Sequence, residues 1–493
     1  MHLTIPAAGR GQRQLALWLL CASSLMVILD GTIVTVALPS IQRHLGFSAA
    51  SLSWAMNAYL IAFGSLLLLA GRLGDLIGRK RMFCSGLAAF TAASLACGMS
   101  TGPQMLIAAR FGQGIGAAVV SAVSLGMIVA LVPEPAQQAK AIGAFSFVGA
   151  AGASTGLVLG GVLTQAVSWQ AIFFVNVPIG ILAGLSVIRV LAADRGTGLH
   201  DGAGWPGAFL VTAGLMLAVY TIVGTARYGW GSAHTVLAAA GAGLLLAAFV
   251  TRQATARTPL LPLRIFSVRS VSGANLAQLL VIAAAFGFQV IITLYMQRVL
   301  GYGAAASGLG LLPTAVAIGT VSFGLSARIA ARFGQRAMLL AGLVLIAAAL
   351  ALLTRLPVHA SYPAHLLPAL LIFGIGGGLT LPVLASLGMS GATDSDAGLA
   401  SGLFNTTQQV GAALGVAMLS TLAAAQARSL HATSTSSAAA LAAGYHLALA
   451  TGTVLTVAAI IVAAAVLRRI TGSAPRPAPA ARTRHDTSRR VPD

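Results

Sequence analysis

The sequence predicts an all-α, polytopic membrane protein with two six-helix halves and two extra central helices, fourteen membrane spans in all. Of its 493 residues, 57% are hydrophobic and 8% are charged, and the mean hydropathy is +0.90. So few charged residues could not cover the surface of soluble domains. Apolar stretches of about 20 residues, enough to cross the hydrocarbon core of a membrane, recur along the chain. Motifs of the first half also return in the second.

The apolar stretches divide the chain into three parts between its termini. The amino-terminal half, 15–191, holds six: Leu15 to Leu38, Leu52 to Ala70, Phe83 to Met99, Met105 to Val132, Ala141 to Val167 and Ile172 to Leu191. The segment 192–270 holds two, Pro206 to Val223 and Ala233 to Thr251. The carboxy-terminal half, 271–467, holds six: Val271 to Met296, Ser307 to Ala327, Ala337 to Leu353, Ala364 to Leu387, Gly398 to Leu422 and Tyr445 to Leu467. Gly, Ala and Thr lower the hydrophobicity of the seventh and eighth stretches. If these two do not cross the membrane, the count is twelve spans.

The distribution of Lys and Arg predicts the orientation. Basic residues concentrate in cytoplasmic loops of membrane proteins, and most of the 29 lie on one side if residues 1–14 are inside. The arginines on the other side are Arg43, Arg227, Arg298, Arg355 and Arg428. Both termini are therefore predicted to be cytoplasmic, with the basic tail 468–493 disordered.

Composition and motifs also exclude several functional classes. The net charge of +20 is spread over short loops on one face, which argues against nucleic-acid binding. Cys21, Cys84 and Cys97 lie in or beside apolar spans and offer neither a disulfide framework nor metal-ligand spacing. The sequence has no nucleophile constellation and no phosphate-binding Gly-Lys-Ser or Gly-Lys-Thr loop. We expect neither an enzyme nor direct use of ATP, and no metal or cofactor.

A charged hinge separates the second and third spans. Gly71 to Arg81, GRLGDLIGRKR, combines charges that cannot remain in hydrocarbon without partners with glycines that favour a turn. A tight turn at the cytoplasmic face is predicted. The hinge residues that we single out are Gly71, Gly74, Asp75, Gly78, Arg79 and Arg81. The alternative is a static anchor of the topology.

An internal duplication relates the two halves. Residues 111–127 and 373–389 share their final Ser-Leu-Gly-Met, and 328–336 repeats the hinge segment 72–80 with Ala331 in place of Asp75. Four further residues match in order: Gly143, Phe145, Gly152 and Gly156 with Gly402, Phe404, Gly411 and Gly415. Two parallel halves around a central site are typical of an alternating-access transporter.

Two charged residues stand out inside the spans. Asp30 is the only acidic residue within any of the fourteen stretches, and Arg110 lies in the fourth. Burial favours the protonated carboxyl, while Arg110 or a cationic substrate favours the ionised form, so proton and substrate can compete. We predict proton coupling through Asp30 and Arg110. The alternative is a structural role, with Asp30 as a hydrogen-bond acceptor and Arg110 bonded to backbone carbonyls or reaching the interface.

Glycines and polar side chains inside the spans are further candidates. Gly152, Gly156, Gly160 and Gly161 in the fifth span have a spacing that allows close helix approach. Polar side chains inside the spans are candidates for a substrate cavity, and we select Asn57, Gln289 and Asn405. The alternative for each of these three is a packing role between helices.

Together these motifs resemble the major facilitator superfamily, specifically its fourteen-span drug:proton antiporters, over nearly the whole chain. Leu29 to Pro39 is similar to the first-helix signature of that branch, with Thr35 where Asn is usual. The hinge, the Arg110 segment and residues 152–161 are similar to the superfamily's loop, arginine and antiporter motifs, although Leu157 replaces a proline. Trp169 to Gly180 is similar to the start of the sixth helix, with Gln170 in place of Arg.

The resemblance implies the major facilitator fold, an Asp75 latch on the cytoplasmic gate, proton coupling at Arg110 and a monomer. Alanine content and the excess of Arg over Lys suggest a GC-rich bacterium, hence its cell membrane. The leading hypothesis is proton-driven export of amphipathic or hydrophobic small molecules, drugs or antibiotics, with small molecule, protons and lipid as partners. The alternatives are a dedicated exporter of one endogenous metabolite or amino acid, and a non-transporting membrane sensor.

Overall fold

The computed structural model describes residues 10–48, 51–131, 152, 155–190, 205–256, 259, 263–388, 397–431 and 437–467. Within these ranges the regular elements are all helices, which confirms the predicted all-α class. The predicted tail 468–493 and residues 1–9 lie outside the described residues, as do 141–151 of the predicted fifth span.

The helices follow the predicted stretches in order. The amino-terminal half contains α1 (Arg10–Leu45), α2 (Trp54–Ile77), α3 (Arg79–Gly98), α4 (Pro103–Leu131), α5 (Thr155–Ala166) and α6 (Ala171–Val190). The central pair is α7 (Trp205–Tyr228) and α8 (Ala233–Thr255). The carboxy-terminal half contains α9 (Arg269–Arg298), α10 (Ala304–Thr320), α11 (Ser326–Leu353), α12 (Leu367–Gly388), α13 (Ala397–His431) and α14 (Ser437–Leu467).

Length and composition make many of these helices suitable for crossing a membrane. Among the described residues, 10 helices are long and apolar enough, and shorter apolar helices lie at Ser51–Leu67, Thr155–Ala166 and Ala304–Thr320. Leucines on α8, such as Leu237 and Leu244, are 71% exposed, as expected for side chains that face lipid. The count of fourteen crossings, against twelve, stays a prediction.

The fourth helix is central in the amino-terminal half, and the first helix is central in the carboxy-terminal half. In the amino-terminal half α4 packs against α2 and α3, and in the carboxy-terminal half α9 packs against α13 and α14. The central helices α7 and α8 pack on each other, and α7 contacts both α2 and α13. The two helices added to the duplicated core therefore include one that touches both halves.

The hinge and its repeat have the same backbone break. Helix α2 ends at Ile77 and α3 begins at Arg79, with Gly78 between them at φ 112° and ψ 131°. Gly334 interrupts α11 at φ 82° and ψ 153°. Only glycine adopts such angles readily, because any side chain would clash. The duplication seen in the sequence is thus present in the backbone.

Around Gly334 the structure differs from the predicted helix ends. The sequence ended the tenth span at Ala327 and began the next at Ala337, whereas the chain continues from α10 through a π-helical segment, Val321–Leu325, into α11. Arg328 and Arg332 are exposed and lie four residues apart, on one face of the helix. Both arginines can therefore contact water from a continuous helix, and their charges do not require the helix to end. The break in the helix occurs only at Gly334.

Candidate functional site

Asp30 on α1 is the centre of a buried polar cluster. Its exposed fraction is 0%. Arg110 Nη1 donates to Oδ2 at 2.5 Å, while Gln113 Nε2 and Asn176 Nδ2 donate to Oδ1 at 2.7 and 2.9 Å. The carboxylate is therefore held by one cation and two amides, from α4 and α6. A buried charge needs such partners to offset the loss of water.

Arg110 makes further contacts that fix its guanidinium. It is 1% exposed, and its Nε donates to the Ala55 carbonyl of α2 at 3.0 Å. Its Nη1 also donates to Gln113 Oε1 at 2.7 Å, as the spacing of three residues along a helix allows. The guanidinium carbon lies 4.3 Å from the centre of the Tyr59 ring, close enough for a cation–π interaction.

Ser94 on α3 closes the cluster. Its hydroxyl accepts from Gln113 Nε2 at 2.9 Å and from Asn176 Nδ2 at 3.0 Å, and it donates to the Phe173 carbonyl at 3.1 Å. We call Asp30, Ser94, Arg110, Gln113 and Asn176 the Asp30 network. It ties α1, α3, α4 and α6 together, and Arg110 extends it to α2.

The sequence selected two members of this network and missed three. Asp30 and Arg110, 80 positions apart, are brought into direct contact. Gln113 lies one helical turn from Arg110, which was a signal for a shared face. Asn176 and Ser94 carried no such local signal, because only the packing of α6 and α3 brings them to the carboxylate.

Gly152 and the glycines of α5 pack against two neighbouring helices. A Cβ on Gly152 would lie 2.8 Å from Leu25 Cδ1, and one on Gly160 would lie 2.6 Å from the Ile33 carbonyl oxygen of α1. Gly156, between them, faces the Leu29 carbonyl in the same way at 2.9 Å. Gly161 instead faces the other half, where a Cβ would lie 2.6 Å from the Ala304 carbonyl oxygen. Close helix approach, rather than a kink, is what these glycines allow here.

The hinge residues lie against α4 and near α6. A Cβ on Gly74 would lie 2.6 Å from Val123 Cγ1, and Gly71 lies more loosely beside Ala122. Lys80 Nζ donates to the Ile188 carbonyl at 2.9 Å. Arg79 is half-buried and Arg81 is exposed. Asp75 is in the last turn of α2, but its side chain lies outside the described part of the structure, so the latch stays a prediction.

The three cavity candidates have different environments. Asn57 is completely buried, and neither its side-chain nitrogen nor its oxygen has a hydrogen-bond partner. Gln289 on α9 is half-buried, and Asn405 on α13 is exposed. Their role in substrate binding stays a prediction.

The three cysteines are free thiols in or near the helix interfaces. Cys21 and Cys97 are buried and Cys84 is half-buried, all as free thiols. Cys97 Sγ donates to Gln113 Oε1 at 3.6 Å, so it packs beside the Asp30 network. Across the described ranges no group of three His, Cys, Asp or Glu residues is arranged to hold a metal ion.

Comparison with known proteins places this architecture in a family. The sequence pattern of the Major Facilitator Superfamily matches residues 20–416. The chain belongs to the Major Facilitator Superfamily. This confirms the family to which its motifs pointed, a family of membrane transporters rather than enzymes.

Relatives within the superfamily include export proteins. The chain is 40% identical to the cephamycin export protein CmcT of Amycolatopsis lactamdurans, over 83% of this chain and 84% of that protein. It is 37% identical to the puromycin resistance protein pur8 of Streptomyces alboniger, over 83% and 82%. It is 33% identical to the tetracenomycin C resistance and export protein of Streptomyces glaucescens, over 85% and 78%.

Solved major facilitator structures share the fold. A bacterial homologue of the human lysosomal transporter Spinster, in an inward-facing and unoccupied conformation, has a TM-score of 0.65 and 17% identity, covering 93% of this chain and 97% of that one. The nucleoside transporter NupG has a TM-score of 0.64 and 11% identity, covering 92% and 100%. The chain is therefore a multi-pass membrane protein with the major facilitator fold.

Proposed function

We propose that this major facilitator protein is a proton-coupled antiporter in a bacterial cell membrane. It exports amphipathic or hydrophobic small molecules, drugs or antibiotics, with the proton gradient as its energy source and no cofactor. Both termini lie in the cytoplasm, and the monomer is the working unit. The buried pair of Asp30 and Arg110 carries the proposal, and the export and resistance proteins among its relatives support it.

Charge balance makes this pair suitable for coupling. With Asp30 ionised, the two buried side chains are neutral together. A proton on Asp30 removes the anion and leaves the Arg110 guanidinium with the Ala55 carbonyl, Gln113 and the Tyr59 ring as its described partners. An uncompensated cation at membrane depth costs several kcal/mol. Proton binding therefore favours a rearrangement that gives Arg110 water or another anion.

The position of the pair connects this rearrangement with helix motion. The Asp30 network joins α1, α3, α4 and α6, and α1 also contacts the other half, where Gln297 Nε2 on α9 donates to the Val36 carbonyl at 2.9 Å. A change at Asp30 can therefore reach the contact between the halves through α1. Rocking of the halves is the usual transition of such folds, and Asp75 at the hinge would latch one state.

The experiment measures substrate-dependent proton movement in inverted membrane vesicles. After respiration has acidified the lumen, puromycin or tetracenomycin C is added and the pH gradient is followed with a fluorescent dye. The wild type is expected to lose part of its gradient on addition of substrate. Asp30→Asn keeps the shape of the side chain but cannot exchange a proton, so this response should vanish.

Asn176→Ala is the matched control. It removes a donor to the same carboxylate but leaves the ionisable group in place, so a reduced response should remain. Normal exchange by Asp30→Asn would overturn the role of Asp30. Movement of labelled substrate without any change in the gradient would contradict antiport and favour facilitated diffusion. Transport of one endogenous metabolite or amino acid alone would support a dedicated exporter on the same fold.

A further inference from the structure

A cavity lies between the two halves, away from the Asp30 network. It measures about 210 Å³ and is bounded by Leu38 and Leu52 of the amino-terminal half and by α9, α13 and α14 of the other half. These are the helix ends that the predicted topology places outside. Ligand pockets for drug-sized molecules usually measure about 300–1,000 Å³, so this cavity suits a small group or one part of a larger molecule.

The segments that line the cavity contain two arginines and no Asp or Glu. Arg298 and Arg428 both line it, and Arg298 Nη2 donates to Gln42 Oε1, a neutral amide of the opposite half. Gln42 is held in turn by the Phe47 carbonyl, to which its Nε2 donates at 3.0 Å. The chain has no Asp or Glu between Asp30 and Asp75, between Asp201 and Asp394, or between Asp396 and Asp486. Every segment that lines the cavity falls within these stretches.

Two buried hydroxyl groups, those of Ser420 and Tyr445, line the cavity. Ser420 is 8% exposed and Tyr445 is 4% exposed, both line the cavity, and neither hydroxyl makes a hydrogen bond of good geometry. Tyr445 is held by the edge of the Tyr295 ring, and the Arg298 guanidinium lies beside its hydroxyl. Buried polar groups normally have partners, so these donors are available to a bound acceptor.

The rest of the lining is apolar, including Val290, Ile291, Leu294 and Leu441. Guanidinium groups and hydroxyl donors bind anions well, and an apolar wall binds a hydrocarbon part. We propose that this cavity binds an amphipathic anion and forms an outer site for acidic substrates of the exporter. Its meaning for transport rests on the proposed function, whereas the binding itself does not.

The buried ion pair of the amino-terminal half offers no free carboxylate to a cation. The one carboxylate inside the predicted spans, Asp30, is bound to Arg110. A cationic ligand in the outer cavity would meet two arginines and no carboxylate from the lining segments. An anionic ligand would instead bridge α9 and α13.

Binding is tested on the full chain in nanodiscs of phosphatidylcholine, with octanoate and octylammonium as probes of equal chain length and opposite charge. Titration calorimetry is expected to detect octanoate alone. Arg298→Gln, Ser420→Ala and Tyr445→Phe should each weaken octanoate binding, by about tenfold for the loss of one hydrogen bond to a charged group. Because the Ser420 hydroxyl has no hydrogen-bond partner, Ser420→Ala should not lower the melting temperature.

Tyr362→Phe is the matched control, since its hydroxyl donates to the Gly310 carbonyl at 2.7 Å outside this cavity. It should bind octanoate like the wild type. Equal binding of octylammonium, or unchanged binding in Arg298→Gln and Tyr445→Phe, would overturn the proposal. Loss of octanoate binding when phosphatidylglycerol is added to the nanodisc would assign the cavity to a lipid head group and overturn the role in export. Octanoate binding without any proton exchange in vesicles would refute the proposed function but leave the site.

Discussion

The two halves share a scaffold but differ in what they bury at its centre. In the amino-terminal half, Asp30 of α1 meets Arg110 of α4. In the carboxy-terminal half the equivalent helices, α9 and α12, meet through Phe288 and Phe373, whose rings stack with centroids 4.3 Å apart. The register of the duplication places Ile372 at the position of Arg110. The carboxy-terminal half thus has no ion pair where the amino-terminal half has one, and its equivalent helices meet nearby through an aromatic stack.

The difference indicates why the ion pair is present. Apolar residues of similar volume usually stabilise a core at least as well as a buried ion pair, because removing charges from water is costly. The carboxy-terminal half packs without such a pair at the equivalent position. Stability alone therefore gives no reason for Asp30 and Arg110, and their presence in one half agrees with a functional role there.

The glycine contacts are the common part of the scaffold. A Cβ added to Gly156 would lie 2.9 Å from the Leu29 carbonyl oxygen of α1. A Cβ added to Gly415 would lie 2.5 Å from the Ala283 Cα atom of α9. Gly152 and Gly411 make the preceding contacts, with Leu25 and Leu279. Because Leu29 and Ala283 make equivalent contacts, the next residues along α1 and α9, Asp30 and Ala284, are equivalent as well.

The largest effect is expected from making the two centres alike. Arg110→Ile leaves Asp30 buried without its cation and should lower the free energy of unfolding by about 3–5 kcal/mol. The double variant Asp30→Ala with Arg110→Ile copies the residues of the carboxy-terminal half and should recover most of that loss, yet not proton exchange. Thermal unfolding in detergent and the vesicle assay measure the two properties.

Two results would contradict the view that the ion pair serves function rather than stability. A double variant as unstable as Arg110→Ile alone would mean that the amino-terminal half needs the ion pair for packing. Proton exchange by the double variant would mean that coupling resides elsewhere.

A smaller effect is expected where the halves are alike. Gly156→Ala and Gly415→Ala each introduce a methyl group against a neighbouring backbone and should cost about 1–3 kcal/mol of stability. Gly243 on α8 has nothing within 4 Å of its Cβ position, so Gly243→Ala is the control and should gain up to about 1 kcal/mol. Thermal unfolding compares all three. A loss in one half only would show that the shared glycine contact is not equivalent in the two halves.

The smallest effect is expected at the repeated turn. Gly78→Ala and Gly334→Ala force a side chain into a positive φ and should each cost about 1–2 kcal/mol. Gly319→Ala, which has open space and no positive φ, should not destabilise the chain. The melting temperatures of these variants give the comparison. A much larger loss at Gly78 than at Gly334 would indicate that the hinge carries interactions missing from its repeat, where Ala331 replaces Asp75.

Some features of this protein follow from the sequence because they depend on one segment and its surroundings. Apolar length predicts the helices, since an uncharged stretch of about 20 residues is stable in lipid. Gly78 and Gly334 appear as turns because glycine alone tolerates the required angles. Asp30 and Arg110 can each be recognised from the sequence alone, because a charge within an apolar span is costly whichever neighbours the helix has.

Only the tertiary structure decides which of these segments meet. Asp30, Arg110 and Asn176 are far apart in sequence, and their contact depends on how α1, α4 and α6 cross. The same holds for the face of α5 that meets α1, and for the cavity that combines Arg298 with Ser420 and Tyr445. Local patterns report the free energy of placing one segment in lipid or water, whereas side-chain partners depend on helix orientation and depth, which are fixed by packing among all the helices.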